Sequence, residues 1–259
     1  EASTSDVTML DVRDAWVHLD PSRRTAQGRR VRTVDDFEPG RGFIERCLHE
    51  ARGACVKLGP GVDLADLRRP SASEVEFISE RGTLVQAVIW SRELVRAAGC
   101  VTATLCPAGI SFTGTPRLDA PQWDDEMPGR HVYVADPALE RSAASHDEAG
   151  SLLPAFAESL NLCEMHPGLG LLTSHDVVES PWIRRFDVCA AMAWKDKRVR
   201  AWLRDHDAGE VTIKTRDRVV DPDVWSMRLT GTGQTPYVVF IVRLGVRKVA
   251  WITTRAATA

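Results

Sequence analysis

Residues 15–58 constrain the fold more than any other part of the chain. Ala15-Trp16-Val17-His18-Leu19 is a short apolar run stopped by Asp20-Pro21, and proline cannot continue a strand ladder. A basic loop follows, carrying Arg23, Arg24, Arg29, Arg30 and Arg32. Residues 42–51 then place apolar side chains at helical spacing, and Gly53 is positioned to end that helix. Ala54-Cys55-Val56-Lys57-Leu58 is a second strand, closed by Gly59-Pro60-Gly61. Strand, loop, helix, strand predicts a βαβ unit with a right-handed crossover between parallel strands. Such a unit needs an α/β sheet, with Ala15 to Leu19 expected near its centre and Asp20 delivered into a cleft.

Residues 75–79 and 84–90 read as two further strands. Only a tight turn fits between them, at Glu80-Arg81-Gly82-Thr83, so the pair is expected to be antiparallel. Residues 101–105 add another strand. Residues 114–129, rich in Pro, Asp and Gly, read as a loop, and a largely helical connector is expected from there to about residue 190. The last module reads helix (195–207), strand (210–216), helix beginning at Asp221-Pro222, and two strands (237–244 and 248–253) joined at Gly245. Asp221 is a good N-cap and Pro222 a good first helical residue. The organisation expected is thus an α/β part over residues 1–112, a loop and helical connector over 113–190, and a small α+β domain over 191–259.

With 44% hydrophobic and 27% charged residues in 259, the chain can bury a core without metals or disulfides. Disorder and coiled coil are excluded as whole-chain descriptions. Apolar runs such as residues 237–242 are far shorter than the roughly 20 residues of a membrane span. The polar start, Glu1-Ala2-Ser3-Thr4-Ser5-Asp6, has neither an initiator Met nor an apolar signal segment, and is read as a chain cut at its front. Six cysteines at irregular spacing, with no Cys-x-x-Cys, read as thiols of a reducing compartment, by default the cytoplasm. Charge is divided unevenly. Residues 195–255 carry 13 Lys and Arg against 7 Asp and Glu, whereas residues 1–194 carry 20 against 29. A basic C-terminal module on an acidic body points to a polyanionic partner, or simply to a soluble surface.

The sharpest local feature is Asp20-Pro21-Ser22-Arg23-Arg24 at the carboxyl end of the first strand. A carboxylate there, on a turn stiffened by proline, can accept hydrogen bonds from an amine, and the two arginines can pair with phosphate. The structural alternative is an aspartate capping a turn beside solvated arginines. Gly59-Pro60-Gly61, Gly168-Leu169-Gly170 and Gly231-Thr232-Gly233 lack the spacing of a phosphate cradle and read as turns. Cys163, Glu164, His166 and His175 do not make a convincing metal set, so no metal is expected. No Gly-x-Ser-x-Gly occurs.

These motifs resemble the bacterial class I S-adenosylmethionine-dependent methyltransferases that end in a THUMP-like domain. The resemblance rests on DPSRR (20–24), VKLGPGVD (56–63), EVEFIS (74–79), VQAVIW (85–90), HVYVADPALERS (131–142) and, most specifically, KDKRVRAWLRDHDAGEVTIKTRDRVVDPD (195–223). It implies the C-terminal half of a Rossmann-like methyltransferase sheet followed by a THUMP-like domain. By the same resemblance Asp20 and Pro21 are catalytic, Asp6 and Asp20 meet S-adenosylmethionine, and Arg23, Arg24, Lys214 and Arg216 hold an RNA substrate, a tRNA or rRNA. Ser22 stands where the family commonly has Pro or Asp, and Ala135 where it tends to have Glu. The glycine-rich cofactor loop has no counterpart here, which implies that an N-terminal part of the protein is missing from the chain. The alternative kept open is a non-catalytic RNA-binding or scaffold protein on a degenerate methyltransferase fold.

Overall fold

The computed structural model describes residues 6–22, 33–65, 67–142 and 150–256. In chain order the elements are β1 (Trp16–Leu19), α1 (Arg41–Glu50), β2 (Gly53–Leu58), β3 (Glu74–Glu80), β4 (Thr83–Arg92), β5 (Val101–Cys106), β6 (Ile110–Gly114), β7 (His131–Ala135), α2 (Pro137–Glu140), α3 (Leu153–Ser159), β8 (Cys163–Glu164), β9 (Leu171–Ser174), β10 (Ile183–Ala193), α4 (Asp196–Asp205), β11 (Ala208–Thr215), α5 (Pro222–Leu229), β12 (Thr235–Leu244) and β13 (Arg247–Arg255). The chain divides into two compact units, Glu1–Asp119 with Asp136–Phe156, and Ala120–Ala135 with Ala157–Ala259.

The first unit is built on a six-stranded sheet of order β1-β2-β4-β3-β5-β6. β1 and β2 are parallel, joined through α1, so the βαβ unit is present. Phe43, Ile44, Cys47 and Leu48 form the buried stripe of α1. β2 is buried along nearly its whole length, as a parallel strand covered on both faces must be. β4 runs antiparallel between β2 and β3, and β3 is parallel to β5. The turn between β3 and β4 is Arg81-Gly82, both at positive φ (51° and 78°), the conformation whose twist suits a two-residue hairpin. These pairings make β1, β2, β3 and β5 point the same way, so their carboxyl ends share one edge.

The expected central position of β1 does not hold. β1 is the edge strand of this sheet rather than a central one, pairing with β2 alone among the described residues. Trp16 is accordingly half exposed (52%), its ring covered by the Arg52 guanidinium 4.9 Å away.

The second unit is a seven-stranded sheet of order β11-β12-β13-β10-β7-β9-β8. β12 shows how it is covered. Tyr237, Val239 and Ile241 join a core with Val199 and Leu203 of α4 and Leu229 of α5. Val238, Phe240, Val242 and Leu244 pack on the opposite face with Val132, Met165, Leu171, Phe186 and Trp251. A strand buried on both faces reads as a continuous apolar run, as 237–242 does. Asp221 caps α5 by accepting from the amides of Asp223 and Val224 at 3.0 and 3.1 Å. Asp221→Ala should cost about 1 kcal/mol, read as a lower urea midpoint at unchanged slope.

The segment expected to be a helical connector carries strands instead. Residues 113–190 contain β7, β8, β9 and most of β10, with only α2 and α3 helical among the described residues. Two things hid the strands. Val132 and Tyr133 are both buried, from opposite faces, so no polar alternation marks β7. In β10 a bulge between Val188 and Ala190 resets the period of two just before an alanine-rich stretch of high helix propensity. Pairing with β13 and β7 overrides that propensity.

Candidate functional site

β1 ends with Leu19 buried, Asp20 exposed and Pro21 buried, so the proline anchors the turn and the carboxylate is left outside. Ser22 is fixed by a two-way backbone bridge to Glu38, at 2.7 and 3.2 Å. The neighbouring strand supplies the partner of Asp20. Lys57 follows Val56, which pairs with Leu19, and its Nζ lies 2.8 Å from Asp20 Oδ2. The side chains are 49% and 34% exposed, so this ion pair contributes little stability but sets the carboxylate's direction. Oδ1 has no partner among the described residues. The carboxylate thus stands at the edge where the parallel strands end, with Lys57 on one oxygen. In open α/β sheets that edge is where ligands bind.

Asp6 has a local task. It caps the 3-10 turn Val7–Met9, accepting from the Thr8 hydroxyl at 2.7 Å and the Thr8 amide at 2.9 Å. Those two bonds, the hydroxyl's first, hold its carboxyl below the ordinary aspartate value. Arg23 and Arg24 lie outside the described residues.

Lys214 and Arg216 belong to the second unit, two residues apart from β11 onward. Ile213 packs on the helix-covered face, which sends Lys214 to the other face, with its Nζ 5.7 Å over the Phe186 ring. Both cations line a groove of about 270 Å³ floored by Val134, Leu171, Phe240 and Val242.

Sequence reasoning missed a buried polar network on the first sheet. The Glu74 and Glu76 side chains are only 1% and 6% exposed. Glu74 accepts from the Arg96 and Ala97 amides, the Arg96 guanidinium and Thr102 Oγ1, at 2.8–3.1 Å. Glu76 accepts from Trp90 Nε1 (2.8 Å), Arg96 Nη2 (2.9 Å) and Thr104 Oγ1 (2.6 Å). The row ends in Thr113 and Ser111 of β6, each 2.9 Å from its threonine. Alternate acids in an Glu-Val-Glu-Phe strand suggest a wet face. The signal that could have corrected this is the matching alternation of hydroxyls in β5 and β6.

Among the described residues, no group of three or more His, Cys, Asp or Glu could hold a metal, and no helix is long and apolar enough to cross a membrane. The six cysteines are free thiols, with Cys47 and Cys55 pushed up by burial.

Residues 183–255 match the THUMP domain-like family. That match runs from the start of β10 to the end of β13. Two proteins of Mycobacterium tuberculosis, from strains CDC 1551 / Oshkosh and H37Rv, are each 29% identical over 252 residues and are named uncharacterized S-adenosylmethionine-dependent methyltransferases. The alignment takes in 96% of this chain and 66% of theirs, so the chain spans just under two thirds of the length of the curated relatives it matches. A crystal structure from Porphyromonas gingivalis W83, of a protein assigned as a methyltransferase, superposes with a TM-score of 0.71 at 20% identity, covering 93% of this chain and 60% of that one. This likeness shows the fold: a mixed α/β chain with a methyltransferase-like sheet and a THUMP-like C-terminal region.

Proposed function

We propose that the protein is an S-adenosylmethionine-dependent methyltransferase acting on RNA, with the carboxyl edge of β1 as the reaction centre. The observation that carries this reading is Asp20, held through one oxygen by Lys57 and with no partner for the other among the described residues, where the parallel strands of a methyltransferase-like sheet end. The donor set there fits the cofactor's chemistry, since a fixed carboxylate beside a rigid proline turn suits cationic and amine groups. When bound, S-adenosylmethionine supplies a methyl group activated by a sulfonium. The chain's own contribution is positioning, which suffices for much of the barrier of an in-line displacement. Asp20 Oδ1 would accept a hydrogen bond from the substrate amine or hydroxyl, orient that group and take the proton it gives up. Pro21 keeps the turn from moving, and Lys57 keeps Asp20 from rotating away. Asp6 would meet the cofactor's adenine, and Arg23 and Arg24 would hold substrate phosphate. The THUMP-like region, with Lys214 and Arg216, would present the RNA.

Isothermal titration of S-adenosylmethionine into the protein at its natural length tests the reading. Saturable binding at one site is expected, and an absence of heat at any concentration would end it. The competing scaffold reading is separated by RNA titration of Asp20→Ala. Intact RNA binding with methylation lost favours the enzyme, and methylation unaffected by the substitution removes Asp20 from the mechanism.

A further inference from the structure

The second unit carries a larger groove, of about 590 Å³, at one end of β10 and β13. Its floor includes Phe186, and its walls include Arg184, Arg185 and Arg255. Register explains why the charges converge. Phe186 pairs directly with Arg255 across the antiparallel ladder, and Arg184 precedes Phe186 by two, so all three share one sheet face. That face is the one opposite α4 and α5, because Phe186 packs with Phe240 and Trp251.

The arginines are not equivalent. Arg185 is neutralised by Asp187 at 3.2 Å and Glu179 at 3.7 Å. Arg184 and Arg255 have no acidic partner among the described residues. Two uncompensated guanidiniums on one side of a concave surface repel each other, and an anion between them relieves that cost. The basic line also continues: the Lys214 Nζ lies 5.7 Å from the centre of the Phe186 ring, and with Arg216 it lines the 270 Å³ groove.

We infer that these two grooves form one track for the phosphodiester backbone of single-stranded RNA, with Arg184 and Arg255 seating phosphates at one end and Lys214 and Arg216 at the other. This rests on the RNA reading above and names the surface that reading needs. Two grooves joined through Phe186 and Lys214 suit a chain of phosphates better than one small metabolite. Their sizes, each within the range of a ligand pocket, admit an extended strand one or two nucleotides at a time. A duplex presents its phosphates on a convex surface too broad to enter.

Fluorescence anisotropy with a labelled single-stranded oligoribonucleotide tests the assignment on the whole chain. Arg184→Ala with Arg255→Ala should weaken binding at least about tenfold and reduce the log–log salt slope by about 1.4, the value for two lost phosphate contacts on a single strand. Arg184→Lys with Arg255→Lys keeps both charges and should stay within about threefold of the parent, which also shows that loss in the alanine pair is not misfolding. Arg198→Ala, an exposed charge on α4 beside the other face, should leave affinity and slope unchanged. If the parent binds RNA and the alanine pair binds equally well with the same slope, the track is wrong while the RNA reading survives. If blunt duplex RNA binds as tightly as the single strand and loses as much affinity in the alanine pair, the single-strand assignment is wrong. No RNA binding by the parent would overturn both.

Discussion

Asp20→Ala should lower the rate of methyl transfer at least about 100-fold, the scale of loss when a reacting group is no longer held in line. The melting temperature should hardly change, because Asp20 is half exposed and its one partner among the described residues is the partly exposed Lys57. Activity and stability therefore part company at this residue. Asp20→Asn should recover part of the rate, since the amide oxygen can still accept a hydrogen bond although the charge toward Lys57 is gone. Lys57→Met is the complementary test. It leaves the carboxylate in place but unguided, and a smaller loss than in Asp20→Ala is expected. A single-turnover assay reads all three, with S-adenosylmethionine titration separating loss of binding from loss of chemistry.

Glu74→Ala should destabilise the first unit by about 3 kcal/mol, the scale of stripping a buried, hydrogen-bonded acid from its donors. Two amides, the Thr102 hydroxyl and a guanidinium would lose their acceptor at once. The Arg96 side chain is 54% exposed, so screening reduces the ionic part of that cost and the buried amides and hydroxyl account for most of it. Burial alone would raise the Glu74 carboxyl. The hydrogen bonds from Thr102, Arg96 and Ala97 outweigh it and hold the group below its ordinary value. The sign of the pH effect follows. A depressed acid contributes stability that is complete above the unfolded value of about 4.3 and is lost as pH falls through the lower folded value. The urea midpoint should therefore drop below about pH 4, and Glu74→Gln should flatten that drop while lowering stability at pH 7. A midpoint equally acid-sensitive in Glu74→Gln would place the sensitivity elsewhere.

Legibility in the sequence followed how well each segment's local pattern agrees with its surroundings. Residues 15–58, the 75–90 hairpin and the C-terminal module were readable because their apolar periods, turn residues and caps point one way: Gly82 for a positive φ, Asp221-Pro222 for a helix start, a two-sided apolar run for β12. β7 and β10 were not, since one is buried on both faces and the other is broken by a bulge at Val188 and Ala190. The edge position of β1 is a fact of pairing and leaves no mark in five residues. Asp20 was readable as a strand-end acid, but its partner was not, because Lys57 lies 37 residues away and only the β1–β2 register brings it near. Arg184 and Arg255 were hidden for the same reason, being joined by a ladder between strands far apart in sequence.

The most direct measurement is transfer of a tritiated methyl group from S-adenosylmethionine to total RNA by the protein at its natural length, followed by ribonuclease digestion and repeated with Asp20→Ala. The expected result is label that becomes acid-soluble on ribonuclease treatment and is nearly absent with the variant. Label confined to ribonuclease-resistant material, or undiminished when Asp20 is replaced, would contradict a β1-edge carboxylate serving RNA methylation.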